Sequence, residues 1–294
     1  MPYRSKHRAD AKRLLRFRRI RLAALGMVLL LLIALPWYGT VHVQIDQKQL
    51  VLSDLPAETE SIKIVYLSDL HAGDSMRDSR LAELFRMVNA QRPDLLLLGG
   101  DYGSDTESAI RFFQRAPKMI ARYAIYGVLG ERDQTDPDRV SELKSAMFHS
   151  GVIPLVNTKV EVRIPGGQLT VIGLDDALTG NPTVGALASS VRREDPVILL
   201  AHNPQLIRTA QLQNDSGGQS SWFDLGLFGH THGPQLPLLG GALVDLSHIP
   251  NRYMRGWVQE NRAQLLISRG VGTSGFPLRL FSAPQIHVIT LIRK

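Results

Sequence analysis

The chain has 294 residues, 44% of them hydrophobic, enough for one large domain or two small ones. It contains no cysteine, which excludes disulfides, thiolate metal sites and a thiol nucleophile; any bound metal must rely on His, Asp, Glu or Asn. Met1–Arg21 carries nine Lys/Arg against one Asp, so taking that +8 from the total of +7 leaves the remainder at −1, and a basic nucleic-acid surface is unsupported beyond the tail.

The basic tail leads into Leu22–Trp37, with an unbroken apolar run from Met27 to Leu35, and Trp37-Tyr38 sit where an interfacial aromatic belt would lie. Lys/Arg crowd the N-terminal side, so the positive-inside rule predicts a single-pass anchor with a cytoplasmic N-terminus and the rest extracytoplasmic. A cleaved signal peptide is the rival, although Leu35-Pro36-Trp37-Tyr38 offers no small-x-small cleavage site. The expected layout is a basic flank over 1–21, a transmembrane anchor over 22–38, a connector over 39–60 and one domain over 61–294.

The connector holds two short strand-like pieces, Val41–Ile45 and Gln49–Leu52. Strands and helices then alternate. Ile62–Leu67 reads as a strand ending at Ser68-Asp69-Leu70-His71, and Ser79–Asn89 carries Leu81, Leu84, Phe85 and Val88 at helical spacing. Leu95–Leu98 is an apolar strand ending at Gly99-Gly100-Asp101, followed by an expected helix over Ser108–Arg122. Ala124–Leu129 predicts a strand ending at Gly130-Glu131-Arg132-Asp133, and Arg139–His149 a helix. Leu169–Leu174 follows a Pro-Gly-Gly turn, and Val197–Leu200 ends at Ala201-His202-Asn203-Pro204. The polar, Gly/Ser-rich Asn214–Ser221 predicts a mobile loop. Antiparallel strands are expected from Gln264 onward, the last over Gln285–Ile292.

Between these lies Leu225–Gly233, an apolar run that ends at Gly229-His230-Thr231-His232-Gly233. Alternating histidines leave a strand end on the same side, so both imidazoles can aim at one point. A lone His-x-His is as readily a polar turn. Five strand ends, however, carry hard O or N donors: Asp69 and His71; Asp101; Glu131; His202; His230 and His232. Turn chemistry alone explains one such end, not five. Three carboxylates and four imidazoles suffice for two divalent cations that share a carboxylate, activate a water and clamp a phosphoryl oxygen. Asp133 is expected to orient its neighbours. Asp74 and Asp105 read as solvated loop carboxylates, and His7, His42, His149, His248 and His287 as surface or strand residues. Arg279 reads as a structural salt-bridge residue, with phosphate contact as the alternative.

The order Asp-x-His, Gly-Asp, Gly-Glu-Arg-Asp, His, Gly-His-x-His resembles the calcineurin-like metallophosphoesterase family from Ile62 to the C-terminus. Gly229–Gln235, Ser268–Ser274 and Pro277-Leu278-Arg279 are similar to its membrane-anchored bacterial branch. The resemblance implies a four-layer α/β/β/α sandwich. It also implies one metal on Asp69, His71, Asp101 and His232 and another on Asp101, Glu131, His202 and His230, with manganese ahead of iron or zinc.

The departure lies at Gly130–Asp133, where the family has Asn in place of Glu131 and usually His in place of Arg132. Glu131 lowers the site's net charge to +1 with two divalent ions, and a guanidinium cannot act as general acid. Arg132 can still stabilise phosphoryl charge through paired N–H donors. UDP-2,3-diacylglucosamine pyrophosphohydrolases, whose block reads Gly-Asn-Arg-Asp, resemble this region in carrying Arg at the position of Arg132. The resulting expectation is a membrane-anchored phosphoesterase of the bacterial inner membrane. Its catalytic residues are Asp101, Arg132 and His202, and its substrate is a phosphorylated small molecule or lipid such as that nucleotide-lipid, as in lipid A biosynthesis. The alternative is a weakened or inactive member that binds a phosphorylated ligand or partner.

Overall fold

The computed structural model describes residues 16–28, 30, 34, 39–40, 42–73, 76–233, 246, 248–273, 279 and 282–294. The first sheet contains β1 (Gln44–Leu52), β2 (Ser61–Leu67), β3 (Leu95–Leu98), β4 (Ala124–Gly127), β5 (Ile153–Pro154) and β12 (Gln285–Arg293). Its order is β1-β12-β2-β3-β4-β5. The second contains β6 (Thr158–Ile164), β7 (Gly167–Gly173), β8 (Val197–Leu200), β9 (Leu225–Phe228), β10 (Gly256–Glu260) and β11 (Ala263–Ile267), in the order β10-β11-β9-β8-β7-β6.

Period-two alternation splits the apolar residues of each strand between two cores. Ile62, Ile64, Tyr66, Leu95 and Leu97 of the first sheet meet Leu169, Val171, Ile198, Leu200, Leu225 and Leu227 of the second. Their alternates Val65, Leu67, Leu96 and Leu98 pack under helices α1 (Asp78–Ala90), α2 (Thr106–Gln114) and α3 (Val140–His149). Ile172, Val197 and Leu199 pack under α4 (Val184–Ala188) and α5 (Leu206–Gln211). The layers therefore run helix, sheet, sheet, helix. In α1 the buried residues are Leu81, Leu84, Phe85 and Val88, the stripe a core-facing helix presents.

Several elements depart from expectation. The two pieces of the connector are one edge strand, β1, because its polar Gln47–Gln49 face solvent or the rim without breaking the ladder. Helix α2 starts two residues earlier than expected. Asp105 caps it, accepting the Ser108 N–H at 2.7 Å while the Ser108 hydroxyl accepts the Asp105 N–H at 3.0 Å. Asp105 is exposed, as expected of a solvated loop carboxylate, and it also caps the helix. The helix stops at Gln114, ahead of Pro117, whose ring disfavours helix in the residue before it. β11 pairs antiparallel with β10 but parallel with β9, and β12 pairs antiparallel with β2 but parallel with β1, so the C-terminal strands are not simply antiparallel. β11 lies inside a sheet covered on both faces, the setting in which apolar strands pair in parallel. The Asn214–Ser221 segment is a closed turn in which Asp215 accepts N–H groups from Gly217 and Gln219 at 2.9 and 2.7 Å.

The anchor expected over 22–38 lies partly outside the described residues. Residues 16–28 are helical and exposed, and among the described residues no helix is long and apolar enough to cross a membrane. His7, Asp74, Gln235, Ser274 and Pro277-Leu278 also lie outside them.

Candidate metal centre

All five donor-bearing loops leave the carboxyl ends of adjacent strands across the two sheets, where ligands collect in α/β folds. The loops are laced together: Asp69 N–H donates to the Gly100 carbonyl at 2.9 Å, His71 N–H to the Asp101 carbonyl at 3.1 Å, and Gly229 N–H to the His202 carbonyl at 2.8 Å. The chain turns sharply to achieve this. Asp69 (φ 55°), His71 (46°), Asp101 (54°), His230 (68°) and His232 (54°) all occupy the left-handed region, which non-glycine residues seldom adopt and which concentrates at functional sites. Gly130 shows how tightly the loops meet, since a β-carbon there would lie 2.3 Å from Asp101 Oδ1.

The side chains converge in three overlapping triads, each with donor atoms within 4.8 Å of one another: Asp69-His71-His232, Asp69-Asp101-His202 and Glu131-His202-His230. Asp101 Oδ2 stands 3.5 Å from His202 Nε2 and 3.9 Å from His71 Nε2, between the two flanks of the cluster. Glu131 Oε2 lies 2.9 Å from His202 Nε2 and 3.0 Å from His230 Nδ1. His71 Nε2 and His232 Nε2 face each other at 3.0 Å. Asp69, His71, Asp101, His202, His230 and His232 are buried, and Glu131 is half-buried.

This arrangement of hard O and N donors could hold metal ions. Asp69 Oδ2 and His230 Nε2 are buried without a hydrogen-bond partner, an expensive state for polar atoms unless something charged receives them. His202 Nδ1 lies 2.7 Å from the Gly99 carbonyl, which only accepts, so Nδ1 keeps its proton and Nε2, turned toward Asp101 and Glu131, is the atom that can ligate once its own proton leaves. Burial pushes His71 down to about 4, and burial with the neighbouring His71 and Arg279 pushes His232 well below its ordinary value. Both imidazoles are then neutral near pH 7, the form that ligates metal. Burial alone would lower His202 too, but Asp101, Glu131 and Asp69 outweigh it and hold its proton well above the usual range.

Asp133 organises the site as expected. It accepts backbone N–H groups from Asp101 (2.8 Å), Tyr102 (2.9 Å) and Gly130 (2.9 Å). Arg132 donates its backbone N–H to Asp101 Oδ1 at 3.0 Å, and among the described residues its half-buried side chain has no partner. Arg279 is fully buried, and it is not in a salt bridge among the described residues. Its guanidinium donates to the carbonyls of Gly272, Arg269 and Ser282, and lies 3.3 Å from His232 Nδ1. Its contact with the back of His232 escapes sequence reasoning, as does the chain from the half-buried Asp46 through buried His287 to Ser268. In that chain His287 Nδ1 lies 3.0 Å from Asp46 Oδ2, and Nε2 lies 3.2 Å from the Ser268 hydroxyl.

A model of the calcineurin-like phosphoesterase family matches residues 62–234, which hold all seven candidate metal ligands from Asp69 to His232. The chain belongs to that family. It is a metal-dependent phosphoesterase by domain, with a mixed α/β fold of two sheets. The phosphodiesterase YaeI of Escherichia coli is 30% identical over 237 residues, covering 78% of this chain and 82% of its own length. A zebrafish (Danio rerio) transmembrane protein with a metallophosphoesterase domain is 27% identical over 282 residues, covering 90% of this chain and 62% of its own length. A Caenorhabditis elegans protein named as a metallophosphoesterase is 25% identical over 244 residues, or 79% of this chain, and the chain spans about half of that relative's length (48%).

Proposed function

We propose that the chain hydrolyses a phosphodiester or pyrophosphate bond, with Asp69, His71, Asp101 and His232 holding one divalent cation and Asp101, Glu131, His202 and His230 a second. The observation that carries this reading is the position of Asp101 Oδ2 between the two flanks of the cluster, within reach of both His71 and His202. Bound cations, with manganese the first choice, would supply Lewis acidity and an activated water. The chain's own groups set the rest. Asp133 fixes the Asp101 loop, the Gly99 carbonyl fixes the His202 ring, and the Arg132 guanidinium donates to phosphoryl oxygens without being able to give up a proton. A leaving group that departs as an anion is therefore favoured, such as a nucleoside monophosphate leaving a lipid-linked pyrophosphate.

The domain is held at a membrane by residues 22–38, with the N-terminus in the cytoplasm and the domain outside. Phe17, Ile20, Leu22, Leu25, Met27 and Val28 are all more than half exposed on helical residues flanked by arginines, and the zebrafish relative is named a transmembrane protein. Fractionation tests this part. The full chain should stay with membranes through alkaline carbonate, and a chain starting near residue 42 should be released.

Hydrolysis is tested with bis(p-nitrophenyl) phosphate and added manganese. Metal-dependent turnover that Asp101→Asn reduces by at least about a hundredfold supports the enzyme. Metal binding without turnover would replace the hydrolase with a protein that binds a phosphorylated ligand.

A further inference from the structure

Beside the centre, two arginines are brought together with no carboxylate partner among the described residues. Gly233 follows His232 directly, and a β-carbon placed on it would sit 3.5 Å from Arg269 Cγ and 3.7 Å from Arg255 Cδ. Both side chains thus close on the turn that ends in His232. The backbone on each side is held there. The Thr231 hydroxyl donates to the Met254 carbonyl at 2.7 Å, next to Arg255, and the Arg269 carbonyl accepts from Arg279 at 2.8 Å.

Among the described residues neither Arg255 nor Arg269 forms an ion pair. Arg269 Nε is buried with no hydrogen-bond partner. Burial, and then the charge of Arg255, lower the Arg269 value, as expected of two like charges held close together. Asp46, whose carboxylate attracts Arg269, is already engaged by His287 Nδ1 at 3.0 Å and Trp257 Nε1 at 3.4 Å. Two guanidiniums beside a phosphoesterase centre, unpaired among the described residues, suit the fork geometry of an anionic phosphoryl group.

We infer that Arg255 and Arg269 form a subsite for a second anionic phosphoryl group of the substrate, adjoining the scissile one on the His232 side. The substrate class is then a compound with two neighbouring phosphoryl groups rather than an isolated phosphate ester. This rests on the hydrolase reading and narrows its substrate. Anionic lipid headgroups offer the same chemistry, and the test separates the two sources.

The test uses metal-loaded full-length protein and titration calorimetry with adenosine 5′-monophosphate and α,β-methylene adenosine 5′-diphosphate, two probes differing by one phosphoryl group. Wild type should prefer the two-phosphoryl probe by at least about tenfold. Arg255→Ala and the Arg255→Ala/Arg269→Ala pair should remove most of that preference, leaving monophosphate affinity and metal content within about twofold. Because Arg255 is exposed, its single variant decides the matter even if the pair fails to fold. Retained preference, or equal loss for both probes, overturns the subsite. Preference intact but binding to phosphatidylglycerol vesicles lost assigns the pair to lipid headgroups and also overturns it. The comparison measures binding, so it stands whether or not bis(p-nitrophenyl) phosphate is turned over, and the failure of the hydrolase reading is visible separately.

Discussion

Asp133 Oδ2 accepts the backbone N–H of Asp101 at 2.8 Å and so ties the loop after β3 to the turn after β4. The same carboxylate takes the N–H groups of Gly130 and Tyr102. Truncation strands three buried donors, each costing about 1–3 kcal/mol when unpaired. Asp133→Ala should therefore lose at least about 3 kcal/mol in denaturant unfolding and bind metal poorly. Asp133→Asn, which keeps one acceptor oxygen, should fall between. An alanine variant within about 1 kcal/mol of wild type would contradict this role.

Chelation should destabilise the fold. Asp69 and Asp101 are buried beside Glu131, and without cations burial and this crowding of carboxylates push the Asp101 value well above the usual carboxylate range, with the protonated His202 partly opposing. Metal at about a thousandfold over its dissociation constant adds about 4 kcal/mol, so removing it should lower the melting temperature by roughly 10 °C.

The same cluster predicts proton release. The metal-free protein holds a proton on His202 well above the ordinary histidine range, and a cation at Nε2 must expel it. Affinity should rise with pH through the neutral range. Calorimetry in buffers of different ionisation enthalpy should report about one proton released from this group; no release would contradict the assignment.

A second pH effect lies away from the metals. Burial lowers His287 below its ordinary 6.5, with Asp46 partly opposing; the hydrogen bond from His287 in turn lowers Asp46. Both folded values are depressed, so the unfolded chain takes up protons first. Stability from His287 is full above about pH 6.5 and falls as pH drops below it; that from Asp46 is lost below about 3.8. Subtracting His287→Gln from wild type at each pH should reveal the upper step. A flat difference between pH 7 and pH 5 would refute it.

Glu131 sets the charge at one flank of the site. Its Oε2 reaches both His202 and His230, so Glu131→Asn should keep the geometry, add one net positive charge and lower KM for phosphodiesters several-fold, whereas Glu131→Ala should halve the metal content. An unchanged KM in the asparagine variant would show that this charge does not reach the substrate.

The candidate ligands are legible in sequence because each follows a short apolar strand, and a strand end fixes which way the next side chains can point. Asp101, His202 and His230 need no tertiary knowledge beyond that. Other features depend on packing that one strand cannot announce. Leu265, Leu266 and Ile267 fit a parallel or an antiparallel partner equally well, and only the covered position of β11 decides. An arginine defaults to the surface; the burial of Arg279 follows from carbonyls of Gly272, Arg269 and Ser282 that meet only in the folded chain. The Asp105 cap is hidden because its reciprocal partner is Ser108 rather than the usual Glu or Gln.

The most direct test is the metal content of the purified chain after dialysis against manganese, by elemental analysis, for wild type and Asp101→Asn. Two metals per chain in wild type and a clear loss in Asp101→Asn, with the variant still folded, is the predicted result. Two metals in both proteins with equal turnover, or none in wild type, would contradict a centre built around Asp101.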